Sequence, residues 1–558
     1  MKPYWWKEAV IYQIYPRSFM DSNGDGIGDL QGIISKLDYL KELGVDCVWM
    51  SPCFKSPNVD MGYDISDYKD IMEDFGSMAD CDKLIEEMHK RGIKLLMDLV
   101  PNHTSTEHPW FKESSSSRDN PKRDWYFWRD PKPDGSVPNN WNSFFSGPAW
   151  QFDEKTNQYY LHLFAKEQAD INWDNPQVRH EIYDTCKFWL DKGVDGFRMD
   201  CIAMISKAPG LPDGKPDPFL TGHEWYTHGP NIHKYLQEFN REVLSKYDIA
   251  TVGECQQLTS DIASDYSADD RHELNMVFQF EIHEQLDNNM GDKWTKRNWK
   301  LSEYKKLQTK WQKALYGKCW NPVYLMNHDQ PRPVSRWTND SPQWRVKAAQ
   351  MLGTMNHTLF GTPFVYQGEE LGMTNVAFPS IDDYRDVEIH NYWKHNVLTG
   401  KRSAEEAMER IHSMARDNAR TPMQWNNSAN AGFTTGKPWI GVNPNYHEIN
   451  AEDEMKDPNS VFNYYKKLIH LRKNHKIMAY GEYNEYYPDD EHLFIYTRKW
   501  KDQILFVALN WTTEVQQLKI PDSIDLAGAK LFISNYENNN TIPTQLRGFE
   551  AIVYIKYS

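Results

Sequence analysis

Short apolar runs recur along the first two thirds of the chain, each followed by a longer stretch whose apolar positions fall three and four apart. That alternation predicts parallel strands joined by helices. The strands are expected at 10–14, 47–50, 94–98, 196–200, 250–254, 277–280, 323–326 and 364–367. Helices are expected at 30–43 and 79–91, each ended by a glycine, Gly44 and Gly92, as helices commonly are. Eight strands, each separated from the next by helical pattern, predict an α/β fold closed into a (β/α)8 barrel.

Two stretches break this rhythm. From 104 to 174 the chain is rich in Pro, Asn, Ser and Trp, as in DWYFWRDPKPDGSVPNNWNSFFSGPAW, and predicts an irregular inserted domain after strand three that overhangs the barrel face. A second interruption, about 368–458, follows strand eight and carries ARDNARTPMQW. Beyond 480 the helical period gives way to alternation (HLFIYTR, QILFVALNW, KLFISNY, FEAIVYIKY), predicting a C-terminal antiparallel β-sandwich domain at 480–558. The barrel then comprises 1–103 and 175–479.

A formal net charge of −16, with no run of Lys or Arg, removes nucleic acid as a partner to expect. No stretch approaches the roughly 20 apolar residues of a membrane span, and no membrane partner is expected. The seven cysteines are scattered without metal-type spacing, which fits reduced thiols. The opening MKPYWWKEAVIYQIYPRSF lacks the apolar core of a secretion signal, so a cytoplasmic protein is the expectation; a monomer is expected as well, though no feature of the sequence decides it. Aromatic residues make up 14% of the chain, suiting the C–H faces of sugars as well as a large core.

In such a barrel, functional side chains project from the C-terminal ends of the strands. Those ends are rich in carboxylates: Asp98 runs into Pro101-Asn102-His103, Arg198-Met199-Asp200 closes strand four, Gly253-Glu254 closes strand five, and Asn327-His328-Asp329 follows strand seven. A single Asp after a strand is more often a helix cap or ion-pair partner. Four such ends, with His and Arg beside them, point to acid–base chemistry. Arg198 lies two residues before Asp200, on the same side of a strand, where it can keep that carboxylate ionised.

DLVPNH (98–103), GFRMD (196–200), VGE (252–254) and NHDQ (327–330) resemble the four signature regions of the α-amylase family, in order. The likeness extends through WWKEAVIYQIYPRSFMDSNGDGIGDLQGI, YDISDY, PFVYQGEELGM and ARDNARTPMQW, and so covers nearly the whole chain, closest to its oligo-1,6-glucosidase and α-glucosidase branch. The resemblance implies a retaining exo-acting glycoside hydrolase on small oligosaccharides, with Asp200 as nucleophile, Glu254 as general acid/base and Asp329 as the carboxylate that holds sugar hydroxyls. It implies further that His103, His328, Tyr63, Phe164, Phe280, Gln168 and Arg198 line the glucose subsite. Asp60 and Arg420, with Arg416 nearby, resemble the pair that closes the pocket behind the non-reducing end.

The loop 21–29 sets oxygen donors at alternate positions, Asp21, Asn23, Asp25, the Ile27 carbonyl and Asp29, with glycines between; it reads either as an acidic turn capping the next helix or as a structural Ca²⁺ site, and the resemblance favours the ion, with Mg²⁺ as an alternative. No organic cofactor is implied. The residue after the nucleophile sets linkage preference in this branch by its bulk, and here it is Cys201, intermediate in size. Its context CIAMISKAPGLPD is nearest to the α-1,6 group, so α-1,6 linkages are the expectation; α-1,4 or sucrose-directed action, sucrose isomerisation and trehalose-6-phosphate hydrolysis are the alternatives. The run Glu281-Ile282-His283-Glu284-Gln285 lacks the arginines of the isomerases, and a catalytically dead binding relative would have lost the carboxylates present here.

Overall fold

The computed structural model describes residues 3–217, 220–286, 288–289 and 292–557. Eight parallel strands form one sheet: β1 (Ile11–Ile14), β2 (Cys47–Met50), β3 (Lys94–Leu99), β4 (Gly196–Met199), β5 (Ala250–Glu254), β6 (Met276–Phe278), β7 (Pro322–Tyr324) and β8 (Thr362–Tyr366). They run in the order β6, β5, β4, β3, β2, β1, β8, β7. An isolated parallel bridge from Met276 to Trp320, just before β7, brings the two edges together into a nearly closed barrel. The strands are largely apolar because helices cover them outside and side chains fill the interior, with polar exceptions, among them Asp98, Arg198 and Glu254 towards their C-terminal ends.

The first helical stretch divides into Leu30–Ser35 and Leu37–Leu43 at Lys36, and Gly44 ends it with φ +96°. The next, Met78–Lys90, starts at a capping box between Ser77 and Asp80. β6 and β7 end two residues earlier than the apolar runs predict, at Phe278 and Tyr324, where the chain turns to the barrel rim.

After β3, His103–Ser105 pairs antiparallel with Gln168–Asp170, so the base of the insertion is a two-stranded ladder carrying His103 and Gln168. Between them stands a small antiparallel sheet of Trp128–Arg129, Trp150–Asp153 and Gln158–Leu161. Lys207, from the loop after β4, holds this base with Nζ 2.7 Å from Oδ1 of Asp170 and 2.8 Å from Oδ1 of Asn102, all buried. Phe127, Trp141, Trp150 and Leu163 pack with Cys201 and Met204 in a separate apolar cluster, which seats the insertion directly over the end of β4.

The stretch after β8 folds helices Val387–Asn396 and Ala404–Met414 around Phe378, Tyr384, Ile389 and Ile411. Five antiparallel strands follow, β9 (Glu482–Tyr486), β10 (Leu493–Trp500), β11 (Gln503–Asn510), β12 (Lys530–Ser534) and β13 (Ala551–Tyr557), in the order β9, β10, β11, β13, β12. A short ladder of Gln516–Gln517 with Gln545–Leu546 contributes Leu546, packed with Ile495, Phe506 and Ile552 of this sheet. Among the described residues no helix is long and apolar enough to cross a membrane, and all seven cysteines are buried free thiols.

Candidate active site

One guanidinium organises the ends of β3, β4 and β5. Nη1 of Arg198 lies 2.9 Å from Oδ1 of Asp98 and 2.8 Å from Oδ1 of Asp200, and Nη2 lies 2.9 Å from Oε1 of Glu254. Adjacent parallel strands in register place these groups together: Arg198 pairs with Asp98 on one side and Val252 on the other. Oxygens of Asp200 and Glu254 and the sulfur of Cys201 lie within 4.8 Å of one another.

Three buried carboxylates face a single buried cation, so full ionisation is unfavourable. Burial pushes Glu254 up to about 7, with Arg198 opposing and Asp200 adding to the rise. Asp98 is pushed up to about 6 by burial against the pull of Arg198. Burial also raises Asp200, with Arg198 opposing it at 2.8 Å. Asp200 and Glu254 thus share one cation, and Glu254, at about 7, holds a proton near neutrality.

Asp98 accepts from Nε1 of Trp49 at 3.1 Å and from the hydroxyl of Tyr63 at 3.0 Å, which fixes the Tyr63 ring. That ring lies parallel to His328, centroids 5.2 Å apart. Gln13 donates to Nδ1 of His328 at 2.8 Å, so the His328 proton sits on Nε2, 3.2 Å from Oδ2 of Asp329. Nε2 of His103 donates to the Tyr63 carbonyl at 3.0 Å. Phe164 packs against His103 at 5.1 Å and stacks on Phe144 at 4.9 Å, forming a wall from the insertion.

The far side of the cleft is a second ion cluster. Asp329 accepts from Nη2 of Arg420 at 2.9 Å and Nη1 of Arg416 at 3.1 Å; although burial works against ionisation, His328 and these arginines hold its carboxyl well below the usual range. Asp60, reached by Nη2 of Arg416 at 3.4 Å and by Nε2 of Gln168 at 3.2 Å, is pushed up to about 7 by burial. The pairing thus differs from the sequence expectation: Arg416, not Arg420, meets Asp60. The reason is Asp386, whose carboxylate takes Nε and Nη2 of Arg416 at 2.7 and 2.5 Å and aims it across the mouth. Arg420 turns inward instead, with Nε 3.2 Å from the His328 carbonyl.

Phe280 stands at the start of helix Glu281–Gln285, and among the described residues it pairs with none of the rings of this cleft. Cys201 is in the left-handed region, φ +45° and ψ +32°, and its backbone N–H donates to Oε2 of Glu254 at 3.0 Å.

The loop 21–29 packs against the segment around Thr434. Oδ1 of Asp21 accepts from the amides of Asn23 and Gly24, and Oδ2 from Gly26 and Thr434; Asp29 accepts from Ser22 and caps the helix Leu30–Ser35. Gly26 has φ +92° and lies so close to the Lys437 carbonyl that a Cβ would stand 1.8 Å from it.

Residues 13–481 match the alpha amylase catalytic domain model. The chain belongs to the alpha-amylase family. Within that family it is 58% identical to an oligo-1,6-glucosidase from Parageobacillus thermoglucosidasius, with 99% of each chain covered. It is 54% identical to an oligo-1,6-glucosidase from Bacillus cereus, over 99% of this chain and 100% of that one. Among solved structures, trehalose-6-phosphate hydrolase from Bacillus licheniformis superposes with a TM-score of 0.95 at 47% identity, covering 100% of both chains.

Sequence reasoning missed Asp386, Gln13 and Tyr15 as parts of this family site, although Tyr15 stacks on His328 at 6.1 Å. Asp386 is hidden in sequence because it also caps the helix Val387–Asn396, an ordinary role for an Asp before a helical run.

Proposed function

We propose that the protein is an exo-acting retaining α-glucosidase that hydrolyses α-1,6 bonds at the non-reducing ends of isomaltose and related short oligosaccharides. The observation that carries the reading is the Asp200–Glu254 pair, which brings one oxygen of each within 4.8 Å of the other and shares one guanidinium. A retaining pair stands about 5–5.5 Å apart, whereas an inverting pair needs about 6.5–9.5 Å to admit a water.

In the first step an oxygen of Asp200 attacks the anomeric carbon while Glu254 passes its proton to the glycosidic oxygen; the C–O bond breaks and the leaving sugar departs with that proton. In the second, Glu254 takes a proton from water, the resulting oxygen attacks the same carbon, and the bond to Asp200 breaks. Asp329, kept ionised by Arg416 and Arg420, accepts from sugar hydroxyls, and His328 donates to them from Nε2. Tyr63 supplies the apolar floor. Asp60 with Arg416 closes the pocket behind the terminal glucose, so a longer chain has no exit and cleavage starts from the end.

The α-1,6 preference rests on the names of the relatives at 58% and 54% identity and on the context of Cys201. A phosphorylated disaccharide is disfavoured by the charge around the mouth, where Lys293 is paired with Glu388 and Arg416 with Asp386. Initial rates on isomaltose, maltose, sucrose, trehalose and trehalose-6-phosphate test this: isomaltose should be turned over fastest, and hydrolysis of the phosphorylated sugar alone would overturn the reading.

The loop 21–29 offers only oxygen donors, the chemistry of a hard divalent cation. Asp21, Asn23, Asp25, Asp29 and the Ile27 carbonyl would hold Ca²⁺ or Mg²⁺ there, stiffening the loop that Thr434 fastens to the segment after β8. The ion would act on stability, away from the reacting carbon. A monomer in the cytoplasm is part of the same proposal, the free buried thiols supporting the reducing compartment.

A further inference from the structure

Cys201 enters the site through more than its volume. Its backbone N–H donates to Oε2 of Glu254 at 3.0 Å, and its sulfur lies 3.5 Å from the same oxygen. From the other side Nε2 of Gln256 donates to the Cys201 sulfur at 3.4 Å. The opposite end of that amide, Oε1, is buried without a partner. Since Gln256 donates to the sulfur, the thiol hydrogen is left for the two carboxylates beside it, Oε2 of Glu254 at 3.5 Å and Asp200, which also accepts from this thiol. Burial, with Asp200 and Glu254 beside it, pushes the thiol well above its usual range, so it stays S–H.

We propose that Gln256, Cys201 and Glu254 form a directed hydrogen-bond chain in which Cys201 is a positioning residue for the general acid, holding Oε2 in place and setting how firmly Glu254 keeps its proton. This rests on the reading of Glu254 as the acid. The left-handed conformation of Cys201 serves the chain, because it turns both the N–H and the thiol of one residue towards one carboxyl oxygen. Valine at this place would keep the amide bond and lose the thiol donor; serine would keep both.

Other groups bear on Glu254 and stay in place in such variants: Arg198 on β4 and Asp200 just past it, Asp98 behind Arg198, Asp329 beyond β7, and Tyr324 on β7 with Glu284 near it. Donors to the ionised form favour it, so removing the thiol donor moves the acid's titration upward.

The test is the alkaline limb of kcat/KM against pH, measured with isomaltose for wild type, Cys201→Val, Cys201→Ser and Gln256→Met. Cys201→Val should move the limb up by about half a unit, the worth of one weak hydrogen bond to a carboxylate, and Cys201→Ser should restore it. Gln256→Met should move it in the same direction by less. Linkage preference that follows side-chain bulk, with the limb unmoved in all three variants, would overturn the chain and leave bulk as the whole role of Cys201. Glu254→Gln separates the two failures: if that variant keeps the wild-type alkaline limb on isomaltose, the assignment of the acid itself is wrong and the chain falls with it.

Discussion

Nη2 of Arg416 stands 3.4 Å from Oδ1 of Asp60 across 356 residues of sequence, with both side chains about nine-tenths buried. Asp386 holds the Nε–Nη2 edge of the same guanidinium, sharing Nη2 with Asp60, so Arg416 acts as a fixed bar rather than a mobile surface arginine. Removing it opens the back of the pocket. Arg416→Ala should raise KM for isomaltose by about 10- to 100-fold, the worth of one or two hydrogen bonds to a charged group. Wild-type enzyme should leave a glucan blocked at its non-reducing end intact. Steady-state kinetics and chromatography of products check both.

Asp200→Asn should lower kcat by a factor on the order of 10⁵ or more while isomaltose still binds, since the nucleophile is removed and the subsite remains. Glu254→Gln should lose isomaltose hydrolysis to a similar degree, yet still release the aglycone from an aryl α-glucoside whose leaving group needs no proton. Burst kinetics with the aryl substrate measure the difference. An Asp200→Asn variant with near-wild-type turnover would remove Asp200 from the mechanism.

Glu254, pushed up to about 7 by burial, must carry its proton when the glycosidic bond breaks. The rate on isomaltose should therefore fall as pH rises through about 7, and kcat/KM against pH should show that limb. Moving Asp98 to Asn removes one of the three carboxylates that share Arg198 and should bring the limb down, because Arg198 is then less divided.

Stability should carry its own pH dependence from Glu369, buried after β8, its Oε1 accepting from the Tyr366 amide and its Oε2 without a partner. Burial, with Glu370 adding to it, pushes its carboxyl up to about 8. The folded pKa lies above that of the unfolded chain, so the folded state binds the proton more tightly between those values. The stabilisation is complete below the unfolded value, about 4.3, and is lost as pH rises through about 8. Tm should decline over that window, and Glu369→Gln, which stays neutral, should flatten the decline.

The barrel was legible because its strands are apolar runs bounded by glycine-ended helices, and the reacting groups sit on the strand ends where the backbone rule puts them. Arg198 and Asp200 could be placed together from their spacing alone. The pairing at the mouth could not, because Arg416 and Arg420 sit four apart on one short segment and both are chemically fit to meet Asp60; a third residue, Asp386, decides between them. The bonds of Cys201 to Glu254 were likewise hidden, since they depend on a left-handed turn at a cysteine, a conformation that side-chain residues seldom adopt.

With a cation in loop 21–29, chelation should lower Tm by about 2 °C, as about 1 kcal/mol of lost stability does in a domain of this size. Added Ca²⁺ or Mg²⁺ should restore it, and Asp21→Ala should abolish the response. Differential scanning fluorimetry with and without chelator reads this directly.

Catalysis turns on a covalent exchange at one carbon by a closely spaced carboxylate pair. Proton NMR of the first glucose released from isomaltose, taken before mutarotation, tests it most directly: the α anomer should accumulate first, and β-glucose as the initial product would contradict the Asp200–Glu254 assignment.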